Sequence, residues 1–218
     1  MIIASLATIK GREKQRAITV GSLYQQCDYV RVHAAPLECG REDDARKFHL
    51  PMPDDMPAYI LTCDDDFRYA PNYAEWMVQV LAERTAEYGP CVISLMGRTL
   101  RPPLASYYRD GQNYTKYDWR DPTAREGPVH LPGTGVMCYH TDTIRFTMDD
   151  FPEQNCADIM VGIKCNALNI PIIRVSPPCK NWLELLEVDN TIWERYVNDD
   201  AVQTKLINDT SWHKIETG

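Results

Sequence analysis

The feature that most constrains this chain is an apolar run that ends in three consecutive acids. Ala58-Tyr59-Ile60-Leu61-Thr62-Cys63 has the length and composition of a buried β-strand, and it leads without a break into Asp64-Asp65-Asp66. Adjacent carboxylates repel one another at neutral pH, so the arrangement costs stability unless a cation lies against it. Carboxylate oxygens suit a hard divalent ion such as Mg²⁺ or Mn²⁺, which keeps part of its water shell and takes further ligands from substrate phosphates. Along an extended chain Asp64 and Asp66 project to one side and Asp65 to the other. The competing reading is a solvated acidic turn in which Asp64 or Asp66 caps local backbone.

The flanking segments alternate between strand and helix. Ile2 to Thr8 is a short apolar run, Arg16 to Gln26 carries Ala17, Val20, Leu23 and Tyr24 at helical spacing, and Tyr29 to His33 is β-rich. An irregular connection over 34–57, with Pro36, Gly40, Pro51, Pro53 and Pro57, precedes the acid-bearing strand. Tyr73, Trp76, Met77, Val80 and Leu81 then predict an amphipathic helix over 72–88, stopped by Gly89-Pro90. Cys91 to Leu95 reads as a strand, 100–136 as antiparallel strands and loops with a hairpin around Asp110-Gly111, 157–169 as a helix, 170–175 as a strand and 190–206 as a last helix. This order predicts an α/β fold: a single Rossmann-like domain with a mixed central sheet flanked by helices, whose ligands sit beyond the carboxyl ends of the strands.

Composition removes several function classes. With 218 residues, 44% hydrophobic and 25% charged, the chain suits one buried core. A net charge of -8 gives no general attraction to phosphate backbones, so a nucleic-acid partner requires a local basic patch. No apolar stretch is long enough to span a bilayer, and the first ten residues lack the basic start of a secretory leader, so a cytoplasmic protein with no membrane partner is expected. The eight cysteines are scattered with no CxxC pair, as reduced thiols would be, which disfavours a zinc site. Neither a GxxxxGK loop nor an EF-hand spacing is present.

The run from Ile60 to Tyr73, with Asp64-Asp65-Asp66 at its centre, resembles the DXD segment of glycosyltransferases of the GT-A fold, in particular the family-2-like branch. Ser5 to Arg12 with Ser22 to Gln26 is similar to the nucleotide-binding opening of such enzymes, and Asp44 to Phe48 to the segment that brings a lysine to the donor site. Gly133 to Val136 and Ala157 to Gly162 are similar to the glycine-rich acceptor-side strand and the acidic helix start after it, with Ala157 standing where many relatives carry a second acid. The matches fall in the family's order over about residues 2–175.

The resemblance implies a single GT-A domain over 1–218, with a nucleotide-sugar-binding half over 1–96, an acceptor-side half over 97–180 and a C-terminal helical tail over 181–218. It implies a metal-dependent glycosyltransferase that moves a sugar from a nucleoside diphosphate-sugar, UDP-sugar favoured, to an acceptor hydroxyl, with inversion. Mn²⁺ or Mg²⁺ is the expected cofactor, with Asp66 as direct ligand, Asp64 as a second ligand or ribose contact, and His213 as a further candidate ligand from the tail. Thr8, Arg12, Lys47, Asp64 and Asp65 are the expected donor-binding residues. Asp158 is the expected general base, an assignment that competes with a helix N-cap. Asp149, Asp150 and Glu153 are rivals whose simpler explanation is a charged loop. The acceptor stays open among a glycan, a small molecule, a protein and a hydroxylated base in DNA; the alternatives in chemistry are another nucleotide-sugar-dependent transferase or a hydrolase.

Overall fold

The computed structural model describes residues 1–34, 36, 43–50, 53, 56–188, 191, 194 and 196–215. Its centre is a seven-stranded sheet in the order β2-β1-β3-β10-β5-β11-β8. The strands are β1 (Ile2–Ala7), β2 (Tyr29–His33), β3 (Tyr59–Asp64), β5 (Val92–Ser94), β8 (Gly127–Val129), β10 (Val136–His140) and β11 (Ile172–Arg174). β1 runs parallel to both β2 and β3, and β5 parallel to β11, whereas β10 is antiparallel to β3 and β5, and β8 to β11. The expected mixed α/β sheet is present.

Side-chain alternation divides the sheet between two cores. Ile3, Ile60, Met137 and Ile172 fall in one buried cluster, and their neighbours Ala4, Leu61, Cys138 and Ile173 in the other. Helices α1 (Glu13–Leu23) and α2 (Tyr73–Tyr88) cover the second face through Leu23, Tyr73, Met77 and Leu81. Helices α3 (Ala157–Ala167) and α4 (Ala201–Asp209) cover the first through Ile159, Met160, Cys165 and Ile207, joined by Phe48 of a 3₁₀ turn at Asp44–Phe48. With apolar cover on both faces, the strands are continuous hydrophobic runs, as β3 and β10 are.

Two small sheets complete the fold: β4 (Phe67–Arg68) with β12 (Glu184–Leu185), and β7-β6-β9, formed by Tyr114–Tyr117, Gly97–Leu100 and Leu131–Pro132. The segment between β6 and β7 differs from the expected hairpin. Asp110 does not sit in a two-residue turn; its carboxylate accepts from Ala105 N at 2.7 Å and Asn113 Nδ2 at 3.0 Å and closes a wider loop. Tyr107 and Tyr108 therefore lie in that loop, not in a strand. Within the expected last helix Glu194 and Tyr196 are helical, a turn follows at 197–198, and α4 runs from Ala201; Asn190 and Ile192 lie outside the described residues, as do Gly40 and Pro51. None of the described cysteines is paired; Cys39 is outside the described residues. Among the described residues no helix is long and apolar enough to cross a membrane.

Candidate active site

The parallel register of β1, β2 and β3 brings Ala7, His33 and Asp64 to one carboxyl edge. β10 enters the same edge from the other direction, with Val136 opposite Cys63, so Gly135 meets the first aspartate. A Cβ on Gly135 would lie 2.0 Å from Asp64 Oδ2, a separation no side chain tolerates. The fully buried Tyr69 holds this junction. Its hydroxyl accepts from Asp64 N at 2.9 Å and donates to the Gly135 carbonyl at 2.6 Å.

Asp65 turns inward as expected, although Asp65 and Asp66 form a turn rather than a continuation of β3, so strand alternation is not what separates them. Asp65 faces inward and is 3% exposed. Its Oδ1 accepts from Arg12 Nη1 at 2.8 Å and its Oδ2 from Thr8 Oγ1 at 2.5 Å, while Thr19 Oγ1 donates to the Phe67 carbonyl at 2.6 Å and fixes the turn to α1. Thr8, Arg12 and Asp65 are thus brought together as one anchor. Both Asp65 oxygens are engaged by protein donors, so a direct donor contact from Asp65 does not fit this arrangement; its placement instead secures the base of the triplet.

Lys47 is fully buried, which rules out a solvated surface lysine. Its ammonium bonds Asp64 Oδ1 and lies 3.5 Å from Asp44 Oδ2. Burial opposes its charge, but the Asp64 and Asp44 carboxylates outweigh burial and push the lysine's pKa up. Asp44 itself is pushed up to about 6, chiefly by burial, against the pull of Lys47 and with the push of Asp64, Asp43 and Asp158. Lys47 therefore orients Asp64 from inside rather than reaching outward to a phosphate.

Asp66 has no such partner. Among the described residues its buried Oδ1 accepts no hydrogen bond, and Asp64 and Asp65 surround it with negative charge. Burial first, then those two neighbours, raise its carboxyl to about 7, against the opposing pull of Arg12. A buried carboxylate oxygen without a donor costs on the order of 1–3 kcal/mol, and more when charged. A cation at this point removes that cost. Among the described residues no group of three or more His, Cys, Asp and Glu converges in metal-binding geometry. Asp64, through the oxygen that Lys47 leaves, and Asp66 are the carboxylates at this edge that could hold a hard divalent ion.

Asp158 lies inside the first turn of α3 with Cys156 at the N-cap position, yet its Oδ1 accepts from Ile159 N, so it serves one backbone N–H of the helix start as the competing reading expected. Its Oδ2 accepts from the Tyr107 hydroxyl, and its Oδ1 lies 3.0 Å from Ile159 N. Gly162 sets the depth of α3: a Cβ there would lie 2.7 Å from the His130 carbonyl beside β9, so the helix packs against backbone. Asp158 is near enough to Asp44 to raise it, which puts the base candidate and the acid edge in one electrostatic neighbourhood.

His213 is placed elsewhere. Its backbone N donates to Asn166 Oδ1 at 2.9 Å and its carbonyl accepts from His130 Nε2 at 2.8 Å. Asn166 is eight residues along α3 from Asp158, about 12 Å of helix, so the tail docks on the far end of α3 and no described contact joins His213 to the aspartates. The proposed ligand role for His213 is not supported by this packing. Asp150 is paired with Lys164 at 2.6 Å, which satisfies the charged-loop reading for that rival.

Sequence reasoning assigned no role to Tyr69, Asp44 or Arg98, and it read Tyr107 as an aromatic able to stack on an acceptor, not as the hydroxyl partner of Asp158. Asp44 carried a signal in its i,i+3 spacing to Lys47. The others make contacts through the tertiary fold and left none. No protein-family model matches the chain, and no curated protein matches it either.

Proposed function

We propose that the chain is a metal-dependent glycosyltransferase that uses a nucleoside diphosphate-sugar donor, with UDP-sugar favoured, and a hydroxyl acceptor. The observation that carries this reading is the Asp66 carboxylate, which among the described residues has a buried oxygen without a donor and two like-charged neighbours at the carboxyl edge of a largely parallel sheet segment. Ligands of open α/β sheets gather at such edges.

In this reading Asp64 and Asp66 hold Mn²⁺ or Mg²⁺, which when bound offsets the charge that develops on the departing diphosphate. Lys47 and Tyr69 fix Asp64 by its side chain and its backbone, and Arg12 with Thr8 fixes the turn through Asp65. Asp158 accepts the proton of the attacking acceptor hydroxyl, and Tyr107 holds the carboxylate in place. Loss of the proton to a carboxylate on the acceptor side accords with inversion. The seven described free thiols accord with a reducing, cytoplasmic setting.

The test is release of nucleoside diphosphate from a panel of nucleotide-sugars with Mn²⁺ and a mixed acceptor pool. Turnover of one donor by wild type, lost in both Asp66→Ala and Asp158→Asn, supports the proposal. Failure of every donor in the wild-type protein, or full activity in Asp66→Ala, removes it.

A further inference from the structure

The face of the small sheet near Asp158 carries two cations that, among the described residues, form no ion pair, although Asp158 lies within electrostatic reach of Arg98 and Asp118 within reach of Lys116. Arg98 and Lys116 are direct partners in the β6–β7 register, so their side chains leave the same face. Like charges directly opposite one another weaken a strand pair. Among the described residues neither has a carboxylate within ion-pair distance, and the nearby Asp118 is taken by Arg120 at 2.7 Å.

Arg98 is held in a fixed pose. Its guanidinium carbon sits 4.1 Å from the Tyr107 ring centroid and 5.3 Å from that of Tyr114. Its Nη1 donates to the Tyr107 carbonyl at 3.0 Å, and among the described residues this is its one protein hydrogen bond. The rest of the planar fork is open to a bidentate anion. The same Tyr107 bonds Asp158 through its hydroxyl, so a group on Arg98 lies one tyrosine ring from the proposed base. Lys116 is exposed at the residue level, but partial cover of its side chain and then the Arg98 charge push it down against the pull of Asp118, and a bound anion would add to that pull.

We propose that Arg98 and Lys116 form a subsite for one anionic group on a small hydroxylated acceptor, a phosphate monoester or a carboxylate. This rests on reading the Asp158 side as the acceptor side. A nucleic-acid backbone is a poorer match, because it needs a row of uncommitted cations. Here Arg120 is bound to Asp118, Arg101 to the Gln112 carbonyl and Thr115, and Arg109 to Asn198, in a chain of net charge -8.

The experiment is calorimetric titration of the metal-free, donor-free protein with glucose 6-phosphate, glucuronate, glucose and a short single-stranded oligonucleotide. Binding of glucose 6-phosphate or glucuronate but not glucose is expected, and the tighter of the two identifies the anion. Lys116→Gln, a change on an exposed strand position, is expected to weaken it about tenfold, and Arg98→Gln at least as much. The proposal is overturned if neither anionic sugar binds better than glucose, if Lys116→Gln binds as wild type does, or if the oligonucleotide binds more tightly than both sugars. Because the probe needs neither metal nor nucleotide, anion binding without any nucleotide binding sinks the donor-site reading alone. Nucleotide binding without anion binding sinks the subsite alone.

Discussion

Replacing Asp66 by Asn is expected to stabilise the metal-free protein at alkaline pH and to remove its response to Mn²⁺. A carboxyl moved from an ordinary 3.8 to about 7 corresponds to about 4 kcal/mol between the charged and neutral forms. Solvent relaxation around a partly exposed group reduces this to roughly 2–3 kcal/mol. Because the folded carboxyl binds its proton more tightly than the unfolded one, the native state carries the extra proton between those two values, and stability falls as pH rises through that window. Above it the charge opposes folding in full; below it the neutral acid costs little. Asparagine keeps the shape without the charge. For a chain of 218 residues the gain corresponds to roughly 5–10 °C in melting temperature. Differential scanning calorimetry at pH 8.5 and pH 4.5, with and without Mn²⁺, reads the effect. The variant melts above wild type at pH 8.5, the gap closes at pH 4.5, and Mn²⁺ raises wild type alone. An Asn variant that is no more stable at pH 8.5, or whose gain persists unchanged at pH 4.5, refutes the reasoning.

Two further substitutions probe the acid edge. Lys47→Met leaves Asp64 and Asp44 without their shared cation and is expected to cost about 2–4 kcal/mol by urea unfolding; Mn²⁺ should restore more stability to this variant than it adds to wild type, and a loss under about 1 kcal/mol counts against the buried ion pair. Gly135→Ala places a methyl 2.0 Å from Asp64 Oδ2, so Mn²⁺ affinity followed by electron paramagnetic resonance should fall roughly 10- to 100-fold, and unchanged affinity would mean that Asp64 does not ligate.

Much of this architecture was legible in the residues because apolar periodicity reports burial. β2 spans the expected Tyr29–His33, and α2 begins one residue after the expected start and ends where Gly89 takes a positive φ of 79°. α1 begins at Glu13, ahead of the apolar spacing, because its first turn is polar and carries no hydrophobic signal. Asp110-Gly111 has the composition of a tight hairpin, but the Asp110 carboxylate serves backbone donors on both sides of a longer loop. At the site, the acid triplet and the inward placement of Asp65 followed from sequence, although a turn and not strand alternation produces that placement. The commitment of Lys47 to Asp64 did not, since residue type alone does not say whether a lysine faces solvent or a carboxylate. Tyr107 meets Asp158 across 51 positions, and Arg98 is placed by strand register. Such partners become visible only when the chain is folded.

The most direct test of the account is calorimetric titration of the wild-type protein with UDP and the other nucleoside diphosphates, once in Mn²⁺ and once in chelator. Binding of one diphosphate in Mn²⁺ and none in chelator is the expected result. No binding of any diphosphate in Mn²⁺, or equal binding in chelator, contradicts a metal-bridged donor site at Asp64 and Asp66.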